Sequence, residues 1–169
     1  MREHYKMFAA YNQWANEKLY SVAQALTEEE IHRDTSAFFH SLFGTLTHLL
    51  VADSIWLNRL SGSGPVYNAL DARPFPDITT LTQARQMIDS RFIDYVATLS
   101  NDSFTQTISY TRSTDPTPQS HKLGPALTHL FNHQTHHRGQ AHMILTVLDK
   151  PSLPMDLIYF LREEGQQWL

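Results

Sequence analysis

The sequence predicts an all-α fold: a four-helix bundle forming a single domain over residues 1–169, with a long crossover connection and a short C-terminal helix. Three observations carry this. Apolar residues recur at three- and four-residue steps in four separate stretches, which is the spacing of a helix with one buried face. The breaks between the stretches are marked by glycine, proline and serine. Strand-like composition is confined to one short segment, and 169 residues suffice to bury one core.

The elements follow in order. Phe8, Tyr11, Ala15, Leu19, Val22 and Leu26 form the seam of a first helix over about residues 3–26. Leu42, Leu46, Leu49, Asp53, Leu57 and Leu60 share one face of a second, over about 38–60, which Ser61-Gly62-Ser63-Gly64-Pro65 ends. From there to Asp77 the chain holds Pro65, Pro74 and Pro76 and no sustained period, so it reads as a crossover of the kind that joins parallel neighbours. Thr79 or Thr80 is a candidate cap for a third helix, in which Leu81, Ala84, Ile88, Tyr95 and Leu99 keep helical spacing to about Ser100. Between Phe104 and Thr117 the Thr, Ile, Ser and Tyr content suggests an extended or hairpin excursion. The fourth helix runs from about Leu123 to Asp149, with Leu123, Leu127, Leu130, His137, Ala141, Ile144 and Leu148 on its buried side and Pro151 beyond its end. Leu157-Ile158-Tyr159-Phe160-Leu161 is an amphipathic tail, read as a final helix or turn.

Composition narrows the function. Without cysteine there is no disulfide scaffold, thiolate metal site or cysteine nucleophile, so any metal is held by nitrogen and oxygen. A net charge of −4 with interspersed signs offers no basic stripe for nucleic acid. No stretch approaches the length of a membrane span, and the first residues lack a long apolar core, so the expectation is a soluble, cytoplasmic protein with no membrane partner. Histidine, with ten residues, is the compositional outlier and points to metal or proton chemistry.

The chemistry concentrates in Asn132-His133-Gln134-Thr135-His136-His137-Arg138-Gly139-Gln140. His133 and His137 stand four residues apart, one helical turn, so both imidazoles share a face and can grip one metal ion. At about 100° per residue His137 lies in the apolar stripe and His133 on its flank. His129 drifts further round and reads as a pocket residue, while His136 and His142 project elsewhere. A lone histidine on an apolar face is usually a hydrogen-bonded core residue; a pair at this spacing makes the metal reading about as good. His48 is a candidate third ligand, but it lies away from the leucine stripe beside Thr45, Ala52 and Ile55, and the pattern alone leans to a surface histidine. Asp53 is the nearest carboxylate on that helix; it falls on the leucine side, where a supporting role is as good a reading as a catalytic one. Arg138 and Gln140 flank a ligand and either orient the pocket or pack between helices.

Tyr11-Asn12-Gln13-Trp14-Ala15-Asn16, Leu46-Thr47-His48-Leu49-Leu50 with Trp56-Leu57, and Asn132 to Gln140, in this order, resemble the DinB/YfiT-like family of metalloenzymes over most of the chain. The His-x-x-x-His-Arg-Gly-Gln element is the most specific of the three. The resemblance implies a four-helix bundle, often dimeric, with a divalent metal held by His48, His133 and His137. Members include transferases that conjugate low-molecular-weight thiols and isomerases that use such a thiol.

Three neutral imidazoles leave a divalent ion an open position for a substrate oxygen or sulfur or for water. Zinc or nickel suits all-nitrogen ligation, with iron or manganese as alternatives. The expected function is thus a metal-dependent enzyme acting on a small molecule, a thiol-dependent transferase or a hydrolase, with a low-molecular-weight thiol as cosubstrate. The alternatives are a non-enzymatic, stress-related bundle that binds metal or a small ligand, and a purely structural dimer. A homodimer is expected because the second helix carries both a leucine stripe and a separate ligand-bearing side.

Overall fold

The computed structural model describes residues 1–169 except Asn68, Asp71, Ser113 and Thr114. The chain is mostly helical, with a two-stranded sheet added. The long helices are α1 (Arg2–Gln24), α3 (Leu42–Ser61), α4 (Ile78–Thr98) and α5 (Leu123–Val147); α2 (Glu28–His32) and α6 (Leu157–Glu163) are short. β1 (Thr107–Arg112) and β2 (Asp115–Lys122) pair antiparallel with Thr107 opposite Lys122, so the hairpin lies slightly later than the 104–117 expected for it.

Local chemistry sets the helix ends. Asp77, rather than Thr79 or Thr80, caps α4 by accepting from the Thr80 N–H at 2.7 Å. α3 starts at Leu42, later than Phe38, because Ser41 caps it by accepting from the Gly44 N–H. It ends at Gly62, whose φ of 70° suits a residue without Cβ. α2 is an element the periodicity missed, although Thr27 and Glu30 form a capping box.

α1 and α3 each pack against both α4 and α5. Cross-helix contacts give the directions. Asp53 meets Arg85 and Ser63 meets Arg91, so α3 and α4 run parallel, joined by the proline-containing connection. Trp56 meets His129 and His48 meets His137, so α3 and α5 run antiparallel. The core between them includes Leu19, Leu42, Leu46, Leu49, Leu50, Leu81, Phe92, Leu127 and Ile144. α6 closes a smaller cluster, seating Phe160 against Tyr11 and Trp14. Among the described residues no helix is long and apolar enough to cross a membrane.

Candidate metal centre

Antiparallel packing brings the first half of α3 to the middle of α5. His48 therefore faces His133 and His137, with ring centroids 5.3 and 4.7 Å away, while the α5 pair stand 4.4 Å apart. One ring nitrogen from each of the three lies within 4.8 Å of the others, close enough for the trio to be able to hold a single ion. His48 is buried and the α5 pair half-buried.

Two of the three rings are set by their second nitrogen. The Leu70 carbonyl can only accept, so at 3.2 Å it places a proton on His48 Nδ1 and leaves Nε2 with a free lone pair. Gln140 Oε1 does the same to His137 Nδ1 at 2.7 Å. His48 Nε2 and His133 Nδ1 are buried without hydrogen-bond partners, an arrangement that costs free energy unless a cation takes the lone pair. Burial and the neighbouring imidazoles push His133 down to about 3, and burial lowers His48 and His137 as well. All three are neutral at pH 7, as metal ligands must be. The residues present fit a divalent ion.

The turn of α5 that carries these histidines also carries the residues that hold it. Gln134 donates to the Leu49 carbonyl at 3.3 Å, so each member of this contact is one residue from a histidine of the trio. Arg138, beside His137, turns into the core and donates to Asn12 Oδ1. Of the two residues flanking His137, Gln140 touches its ring and Arg138 anchors the helix. Asp53 does not approach the trio. It is fully buried, 2.8 Å from the Arg85 guanidinium.

The remaining histidines of α5 stand outside the trio. His129 packs on Trp56, its centroid 6.0 Å from His133. His136 is exposed and bonds to Gln140, and His142 bonds to Ser152 and the Leu153 N–H. Phe39 was missed by pattern reading. Its ring stacks on His48 at 4.0 Å and stands 5.6 Å from His137.

Fold and site together define a helical protein with an all-imidazole cluster suited to a divalent cation. The family model described as DinB family matches residues 1–168, so the chain belongs to the DinB family, as the three sequence motifs suggested. Protein DinB of Bacillus subtilis (strain 168) is 23% identical over 157 residues, spanning 89% of this chain and 90% of that protein.

Proposed function

We propose that this protein is a metal-dependent enzyme in which His48, His133 and His137 hold one divalent ion, zinc or nickel before iron or manganese, and that it acts as a thiol-dependent transferase or a hydrolase on a small molecule. The observation that carries the reading is the convergence of three neutral imidazoles, two of them with buried unpartnered nitrogens. An ion bound there supplies Lewis acidity that lets a thiol or water ionise near neutral pH. Within this reading, Leu70 and Gln140 hold the protons of the two outer ring nitrogens, Gln134 keeps α5 in register with α3, and Phe39 shields His48 from water. Thiol transfer is the better supported of the two reactions. A thiol needs no separate base once ionised, and Asp53, the nearest carboxylate in sequence on α3, is engaged by Arg85.

The same engagement supports a second reading, a non-enzymatic, stress-related bundle that binds metal or a small ligand. One experiment separates them. Protein made without a histidine tag is analysed for metal and then assayed for consumption of a low-molecular-weight thiol with an electrophile. Stoichiometric metal with turnover that His133→Ala abolishes supports the enzyme; metal without turnover supports the binder. A chain that takes up no metal sinks both metal readings.

We further propose one four-helix bundle domain over residues 1–169, a cytoplasmic location and a homodimer. Both sides of α3 are already covered within one chain, so the two-face argument no longer requires a second copy. The dimer then rests on family resemblance alone. Light scattering over a wide concentration range is expected to give twice the chain mass, and a constant monomer mass would refute it.

A further inference from the structure

We propose, building on the metal-centre reading above, that the substrate carries a flat aromatic group and that a phenylalanine-walled cavity beside His48 receives it while a donor oxygen or sulfur of the same molecule reaches the ion.

The cavity measures about 540 Å³, within the range of small-molecule sites. Phe38, Phe39, Phe43 and Phe75 line it, and His48 and Thr47 complete the wall toward α3. His48 thus belongs both to the cavity and to the histidine trio, so an occupant touches a ligand of the proposed ion. Phe39 stands at the junction. Its ring is stacked on His48 and stands in a T-shaped arrangement with His137, centroids 5.6 Å apart.

The loop that presents these rings is built at a conformational cost. Ser36 and His40 adopt left-handed backbone with φ of 57° and 67°, which residues with a Cβ rarely do. The Thr35 N–H donates to the His40 carbonyl and the His40 N–H to the Ala37 carbonyl, both at 2.8 Å. Gly44 accommodates the loop, since a Cβ there would stand 2.1 Å from the Phe39 carbonyl oxygen. The product of this strained turn is an edge-to-face aromatic pair, Phe38 on Phe39 at 4.9 Å, with Phe38 left 83% exposed. A large apolar ring held in water at the wall of a cavity is covered when another ring enters, and aromatic pairs favour this range of separations.

The test uses two hydroxamates that share one metal-binding group and differ in the ring. Tag-free protein is loaded with zinc, its stoichiometry is measured, and acetohydroxamate and benzohydroxamate are titrated by calorimetry. Benzohydroxamate is expected to bind at least about tenfold more tightly, the order that burying part of a ring supplies. Phe38→Ala and Phe38→Ser are expected to remove most of that advantage while leaving acetohydroxamate unchanged. Phe38 is exposed, so its replacement leaves the fold intact, and the wild-type comparison needs no variant at all. Equal affinities, no binding of either compound to the zinc-loaded protein, or an advantage that survives in both variants overturns the inference while the metal reading stands. Failure to bind zinc, nickel, iron and manganese alike overturns both; where another of these ions binds in place of zinc, the same titrations on that form decide the inference.

Discussion

One residue, about 100° of helix, separates His136 from His137, and the two differ in everything that matters to a metal. His137 joins His48 and His133 with Nδ1 held by Gln140, whereas His136 is exposed outside the trio. His137→Ala is therefore expected to abolish zinc binding, because two imidazoles remain, while His136→Ala leaves it within a few-fold. Metal titration of the two variants, with circular dichroism confirming helicity, checks this; the reverse pattern would place the site wrongly. The α5 pair was legible because a spacing of four residues states its own geometry. His48 was not legible from pattern, because α3 is buried around nearly its whole first half and Thr45, Thr47 and Ala52 are as covered as the leucines. Family resemblance supplied it. Phe39 and the Leu70 carbonyl left no trace in the sequence, since stacking between a loop and a helix, or contact with a backbone oxygen, follows no spacing rule.

The elements were legible wherever one face was apolar and an end was marked, as in α5 before Pro151 or α3 before Gly62. They were less so where a side chain, rather than periodicity, decides the boundary, as Ser41 and Asp77 do. Two glycines inside helices show how packing overrides propensity. In α5 a Cβ at Gly139 would meet nothing within 4 Å, so Gly139→Ala is expected to raise stability by up to about 1 kcal/mol through helix propensity. In the first turn of α3 the same change at Gly44 drives a methyl into the Phe39 carbonyl, a backbone atom that moves only with its loop. Gly44→Ala is expected to destabilise by roughly 1–3 kcal/mol despite the same propensity gain. Urea unfolding of the two variants measures both; stabilisation by Gly44→Ala would show that the 34–41 loop yields freely.

Across the whole molecule, a belt of buried polar side chains joins all four long helices. Asp53 on α3 pairs with Arg85 on α4 at 2.8 Å, and Arg85 pairs with Asp89 at 2.9 Å. Asp89 accepts from Asn12 and Asn16 on α1, each at 3.1 Å, and Asn12 accepts from Arg138 on α5. Gln134 on α5 closes the circuit at Leu49 on α3. Apolar stripes made the helices legible, but this belt was not, because Arg85 and Asp89 read as a solvated i,i+4 pair although both are 2% exposed. Arg85→Met is expected to cost about 3–5 kcal/mol, since it leaves two buried carboxylates without their shared cation. Chemical denaturation measures it, and a loss below about 1 kcal/mol would mean the belt is idle. Asp53 gives the belt a pH signature. Burial, opposed by Arg85, pushes its carboxyl up to about 6 from an ordinary 3.8. Between those values the unfolded chain has released this proton and the folded chain still holds it. The Asp53 contribution is therefore complete below about pH 4 and is lost as pH rises through 6. Asp53→Asn removes the titration while keeping the shape. The stability of wild type minus that of Asp53→Asn is thus expected to be larger at pH 4 than at pH 7 in urea unfolding; a difference that is flat or grows with pH would show that the carboxyl is ionised in the fold at its ordinary value or below.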